Sequence, residues 1–292
     1  MDPKTAIGEV MRALYAAISD PAGPRDWPAL RALFAPGAEL VRTVETDTGA
    51  RVRDRMSVDE FVVRAGSQIE RAGFHEREIA ARIDVFGSVA QVWSTYEALR
   101  DPAGAPFARG VNGVQMFFED GAWRITQLVW DDERPGTLVP PEHLPPPRDD
   151  ADEERYAASV VANARLVAVV GMKDDPMAPA FTVPEAMASR GIRVVPVNPK
   201  LDRVLGERAL ASVTELSERP DVIQIFRRSD AIPAIAAEIV ALPAPLRPLV
   251  VWLQSGIRSD EAARTLAREG IVTLADRCFA VDMAKHRRAP AS

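Results

Sequence analysis

Two periodicities divide the chain. Near the start, Val10, Leu14, Ala17 and Ile18 recur at helical spacing, which predicts an amphipathic helix over about residues 4–19. A short helix is expected over about 26–34, ended by the turn Ala35-Pro36-Gly37. A third, over about 57–72, opens at Ser57 with Glu60 three residues on, the pattern of a capping box. The period then changes to two. Residues 77–85 alternate through Ile79, Ala81, Ile83 and Val85, and the runs 88–99 and 109–119 are rich in β-branched and aromatic types. Asp120-Gly121 marks a tight turn into a last strand over 122–130. Helices followed by a meander of long strands predict an α+β cone, in which helices cover one face of a curved antiparallel sheet.

Beyond residue 134 the pattern breaks. Pro135, Pro140, Pro141, Pro145, Pro146 and Pro147 cannot continue a helix or a sheet ladder, so residues 135–152 are expected to form an extended linker between two domains, 1–134 and 153–292. The second domain alternates. A helix over 153–164 precedes short, continuously apolar strands at 166–170, 192–197, 221–226, 249–253 and 271–275, with helices near 183–190, 230–241 and 259–269. Unalternating Val/Ile/Leu strands separated by helices predict an α/β doubly wound parallel sheet of Rossmann-like type.

Composition narrows the function classes. The chain has 292 residues, 47% of them apolar and 27% charged, the profile of a folded globular protein. Its net charge of −6 divides unevenly, with 19 basic against 18 acidic residues from 151 onward and 17 against 24 before that. Neither half has a nucleic-acid footprint, and no apolar stretch approaches a membrane span. The N-terminal MDPKTAIGEVMRAL does not read as a signal peptide, and the single Cys278 suits a reducing compartment, so a cytoplasmic location is expected. No metal-ligating cluster is read from the sequence.

In doubly wound sheets, ligands bind beyond the carboxyl ends of the strands. The first of these strands ends in Gly171-Met172-Lys173 and a long proline-bearing loop, which is not a GxGxxG fingerprint. It places backbone N–H groups, a helix start and Lys173 where a phosphate could sit. The second strand ends in Asn198-Pro199, where the Asn can bond a sugar or an amide and no acid is available for an NAD ribose. The third runs into Phe226-Arg227-Arg228, an aromatic face beside two guanidinium groups suited to an adenine and phosphates. The last two end in Gln254-Ser255-Gly256 and Asp276-Arg277-Cys278.

The block VVGMKDDPMAPAFTVPEAMASRGIRVVPVNPK, with LGERALASVTEL, DVIQIFRRSD, VVWLQSGIR and ADRC in order after it, resembles the small CoA-binding domain family. That family is similar in fold to the nucleotide-binding part of the succinyl-CoA synthetase α subunit. The resemblance implies that coenzyme A or an acyl-CoA lies across the strand ends. It carries a cofactor-binding role to Gly171, Met172, Lys173, Asn198, Pro199, Phe226, Arg227, Arg228, Gln254 and Gly256. A synthetase of that type needs a phosphorylatable His. The only His in this half is His286, in the basic KHRR tail, so a binding module is expected here and no catalytic residue is assigned.

The first half, through SVDEFVVRAG, REIAARIDVFGSVAQVWSTYEAL and GVNGVQMFFEDGAWRITQLVWDDE, resembles the SnoaL-like branch of the nuclear transport factor 2-like superfamily. That resemblance implies a cone enclosing a pocket, in a superfamily that holds both enzymes and ligand-binding or dimerising modules. Tyr96, Arg109, Asn112, Gln127 and Trp130 are the candidate pocket-lining residues, with His75 and Asp59 near the mouth. Asp131, Asp132 and Glu133 read as a solvated strand exit. The expected protein is a CoA or acyl-CoA sensor or carrier, self-associating through the cone. The alternative is an isomerase, hydratase or hydrolase of acyl-CoA with its chemistry in the cone, for which an Asp/Tyr or Asp/His pair facing the cavity is the discriminating feature.

Overall fold

The chain begins with α1 (Pro3–Ile18), capped by the Asp2 carboxylate on the Thr5 N–H. Its apolar stripe buries Ile7, Met11, Leu14 and Tyr15, each such side chain contributing roughly 1.5–3 kcal/mol of transfer free energy. The computed structural model describes residues 2–46 and 48–287. The chain divides into two units, one running to Pro135 with His143–Pro145, the other comprising Gly136–Glu142 and everything from Pro146 onward.

In the first unit α1 is followed by α2 (Trp27–Arg31), β1 (Phe34–Glu45), β2 (Arg51–Ser57), α3 (Val58–Ala72), β3 (His75–Phe86), β4 (Val89–Leu99), β5 (Ala108–Glu119) and β6 (Ala122–Asp132). The capping box of α3 is present in both directions, Ser57 to the Glu60 N–H and Glu60 to the Ser57 N–H. The strands form one sheet in the order β2-β1-β6-β5-β4-β3.

Two features correct the sequence reading. Strands β1 and β2 fill a region for which only a helix end and the turn Ala35-Pro36-Gly37 were expected, and β1 pairs parallel to β6, so the sheet is mixed and not purely antiparallel. The segment Ala35-Pro36-Gly37 is not a helix-ending turn. It is an irregularity inside β1, where the pairing register with β6 shifts between Phe34 and Glu39 and Gly37 takes φ +78°. A bulge is where a strand tolerates a proline and a left-handed glycine.

The expected extended linker is not a free spacer throughout. Val139 is buried and its carbonyl accepts a 2.5 Å bond from the Ser159 hydroxyl within the second unit. The His143 carbonyl accepts from Thr95, and its ring lies 5.6 Å from Trp93, within the first unit.

The second unit runs α4 (Asp150–Asn163), β7 (Leu166–Val170), α5 (Pro179–Ala188), β8 (Arg193–Val197), a small hairpin of β9 (Arg203–Val204) and β10 (Glu207–Arg208), β11 (Val222–Ile225), α6 (Ile232–Ala241), β12 (Val250–Leu253), α7 (Asp260–Ala267), β13 (Val272–Leu274) and α8 (Phe279–His286). The five-stranded sheet is all parallel, in the order β13-β12-β11-β7-β8. One face packs Ala168, Ile223 and Val251 against Ile232 and Ile239 of α6 and Leu266 of α7. On the other face Trp252 meets Phe279 of α8 edge-on at 4.8 Å, and α8 packs on α4 and α5. Chain order therefore reverses between β7 and β11, and that pair is the topological switch point. The end of the basic tail, including Arg288, lies outside the described residues.

Candidate functional site

At the carboxyl ends of the strands the ladder continues one residue past β7, toward β8, and one past β11, toward β7. The Gly171 N–H reaches the Val197 carbonyl at 2.9 Å, and the Phe226 N–H reaches that of Val170 at 2.8 Å. Gly171 has φ +82°, and a Cβ there would stand 2.7 Å from Arg227 Cδ and 2.8 Å from the Phe226 carbonyl oxygen. Only glycine lets the two loops close on each other, and the Arg227 stem lies across the space a side chain would fill.

Asn198 joins the neighbouring loop to this pair. Its amide donates to the Met172 carbonyl at 2.7 Å, and its Oδ1 accepts from the Lys200 N–H at 3.0 Å. Lys173, Pro199 and Arg227 are exposed along the rim, and among the described residues neither Lys173 nor Arg227 forms a salt bridge. Helix α5 starts at this edge with no side-chain cap, which leaves the positive end of its dipole available to an anion.

The remaining expected residues are placed differently. The Met172 side chain is fully buried, so only its backbone reaches the edge. Arg228 is exposed and pairs with Asp230 at 3.2 Å. Gln254 is buried with its amide engaged: Oε1 accepts from Gln224 at 3.0 Å and from the Phe279 N–H at 3.4 Å, and Nε2 donates to the Cys278 sulfur at 3.3 Å. The Gly256 N–H donates to Asp276 Oδ1 at 2.6 Å. That bond, helped by Arg258, holds the Asp276 carboxyl below its ordinary range. Gly171, Phe226 and Arg227 thus meet at the switch point with Asn198 tied to the Met172 carbonyl beside them, whereas Arg228 and Gln254 are bound to other groups.

The first unit encloses a cavity of about 330 Å³ between its helices and the concave face of the sheet. Tyr96, Asn112 and Trp130 line it as expected; Arg109, Gln127, His75 and Asp59 do not. Arg109 is paired with Glu97 at 2.5 Å, and Asp59 with Arg31 at 2.6 Å. Five polar residues absent from the expected set also line the cavity: Tyr15, Gln68, Glu76, Arg100 and Asp132.

Asp132 is exposed at the end of β6, as expected of a strand exit, and its carboxylate also accepts a 2.5 Å bond from the Tyr96 hydroxyl. Gly110 makes that bond possible. It stands between the two in the register, and a Cβ there would lie 2.4 Å from the Tyr96 hydroxyl oxygen. A second chain of bonds runs from the Asn112 amide to the Tyr15 hydroxyl at 3.0 Å, on to Ser94 at 2.6 Å and then to Glu78. Burial raises the pKa of both phenols, so they stay protonated donors.

Glu76 sits among apolar walls, and desolvation pushes its pKa up to about 7, opposed by a hydrogen bond to Asn112 and assisted by the nearby Asp132 charge. Because the folded-state pKa is raised, the folded protein keeps a proton that the unfolded chain has lost between about pH 4.5 and 7. This contribution to stability is therefore complete at low pH and is lost as pH rises through 7. Glu76→Gln is expected to flatten the decline, gaining on the order of 1–3 kcal/mol relative to the parent at pH 8 and little at pH 4.5, a range discounted for the part of the side chain that meets solvent. Urea melts at the two pH values measure this, and equal shifts at both would count against it.

A family model described as a CoA binding domain matches residues 165–284. An uncharacterized protein of Bacillus subtilis (strain 168), YneT, is 34% identical over 122 residues, which are 42% of this chain and 87% of that protein. Among solved structures, the cell-free ID.343 protein from Thermus thermophilus is similar at 37% identity and a TM-score of 0.42, over 45% of this chain and 97% of that one. A ntf2-like protein of unknown function from Shewanella baltica, similar to the first half, shares 14% identity at a TM-score of 0.33, over 45% of this chain and 94% of that one.

Proposed function

Since the C-terminal half of this chain belongs to the CoA-binding domain family, we propose that the protein binds coenzyme A or an acyl-CoA along the carboxyl edge of its parallel sheet and acts as a sensor or carrier. The observation that carries this reading is the closure of Gly171 on the Arg227 stem at the switch point. It fixes the stem of a guanidinium without a salt bridge at the strand ends that also carry Lys173 and lead into the uncapped start of α5. Three sources of positive potential at one crevice suit a ligand with a pyrophosphate and a further ribose phosphate. Phe226, half-buried beside them, offers a face for the adenine. No acid follows β8, where an NAD-binding site of this fold carries its ribose ligand.

The two arginines separate in this reading. Arg227 contacts phosphate, whereas Arg228 is already paired with Asp230 and faces solvent. A charge-assisted contact contributes about 1.5–3 kcal/mol, so Arg227→Ala is expected to weaken CoA binding roughly ten- to a hundredfold and Arg228→Ala less than about threefold. Calorimetry on the full chain distinguishes them. An unchanged affinity in a cooperatively melting Arg227→Ala variant would remove the proposed phosphate contact.

The enzymatic alternative gains the feature that was to favour it, since Tyr96 and Asp132 form a pair in the cavity wall. The Tyr96 proton, however, is already committed to Asp132, and its ring covers Gly110. A stacked aromatic over a strand glycine is a structural device as much as a catalytic one, and the carrier reading is kept.

A further inference from the structure

The cavity of the first unit has a chemistry of its own. Its walls are mostly apolar, from Leu14, Phe34, Phe61, Leu128 and Trp130, yet two carboxylates open into it. Glu76 comes from β3 and Asp132 from β6, and the sheet register brings them to the same concave face through Ala98 and Gly110. Two cationic groups lie nearby, and neither is paired with Glu76. Arg134 is bound through two nitrogens to Asp131, and Arg100, which also reaches the lining, lies over the Phe107 ring at 4.4 Å. Among the described residues, Glu76 meets no cation. Its neighbours are Asn112 on β5, Asp132 on β6, Tyr15 on α1 and Tyr96 on β4, all neutral or anionic. Gln68 of α3 is neutral, and His75, the preceding residue, is not part of the lining.

Desolvating the Glu76 carboxylate without a counter-charge is unfavourable, and the charge of Asp132 at the exposed end of β6 adds repulsion. A bound cation would relieve both terms. The volume, about 330 Å³, falls at the small end of ligand pockets and suits one ring or a short chain. We propose that this cavity is a second ligand site, independent of CoA binding, that takes a small apolar amine, with the ammonium between Glu76 and Asp132 and the hydrocarbon against the aromatic wall.

The raised pKa of Glu76 gives the site a pH response. An alkyl ammonium stays charged across pH 6–8, so any change in affinity over that range tracks the carboxylate.

The test is calorimetric titration of the full chain with 3-phenylpropylamine, 3-phenylpropanol and 3-phenylpropionate, which share a body and differ in head group. The amine is expected to bind at least tenfold tighter than either analogue at pH 8 and to weaken several-fold at pH 6. In Glu76→Gln the amine should lose at least tenfold at pH 8 and its pH dependence should flatten. Asp132→Asn should lose affinity and move the pH profile to lower pH, because the Asp132 charge helps to raise the Glu76 carboxyl. The proposal is overturned if the alcohol or the acid binds as tightly as the amine, if no probe binds, or if Glu76→Gln leaves the pH profile intact. Should either variant fail to fold, the head-group comparison on the parent decides alone.

Discussion

Gly110→Ala is expected to cost about 2–4 kcal/mol, at the upper end of what one added methyl does in a packed interior. The new carbon would stand 2.4 Å from the Asp131 carbonyl oxygen, 2.4 Å from the Tyr96 hydroxyl oxygen and 2.7 Å from Tyr96 Cζ. The Asp131 carbonyl is backbone within β6, so it cannot move without opening the β5–β6 ladder. The Tyr96 ring can move only by giving up its bond to Asp132 and entering the cavity. Introducing Tyr96→Ala should therefore recover part of the loss, and the double-mutant cycle should show a coupling of about 1 kcal/mol or more. Urea denaturation of the four proteins gives the numbers. A Gly110→Ala variant within 0.5 kcal/mol of the parent, the range of an ordinary surface change, would mean that the three-strand stack is looser than described.

Gly171→Ala is the corresponding change in the second unit and should affect both stability and binding. Its φ of +82° imposes a left-handed penalty of about 1–2 kcal/mol on any side chain. The 2.8 Å approach to the Phe226 carbonyl adds overlap, and the 2.7 Å approach to Arg227 Cδ pushes the guanidinium stem aside. The expected result is a loss of about 2–4 kcal/mol of stability with CoA affinity down at least tenfold. Gly256→Ala is the control. That residue has a similar φ of +79° but nothing within 4 Å of the added carbon. It should show the conformational cost alone, near 1 kcal/mol. Equal effects at the two glycines would show that the close approach to Arg227 contributes nothing.

How much of this was legible in the chain depends on whether a feature is local. The parallel strands β7, β8, β11, β12 and β13 are continuous apolar runs, and their positions follow from composition alone. The order that creates the switch point is tertiary and was not read. Strand β2, RVRDRMS, carries a charge at every second position and has little apolar signal. It is held by its pairing with β1.

Glu76 was hidden by a different mechanism. Counting by twos along 77–85 puts Ile83 and Val85 on the inner face and Glu76 on the outer one. A register shift between Glu78 and Ala80 reverses the parity, so Glu76 and Glu78 turn inward opposite Ala98 and Tyr96. Nothing in HEREIAAR announces that bulge. Gln254 illustrates the converse, a polar residue at a strand end that reads as a ligand group and is instead bound to Gln224, Cys278 and Phe279.

In the proposed function the strand ends at the switch point recognise the phosphates of CoA and not a nicotinamide dinucleotide. Titrating the full chain with CoA, dephospho-CoA and NAD under one buffer condition tests it most directly. CoA is expected to bind tightest, with dephospho-CoA weaker by the one lost phosphate contact, about tenfold or more, and NAD weaker still. NAD binding as tightly as CoA, or no heat from CoA at millimolar concentration, would contradict it.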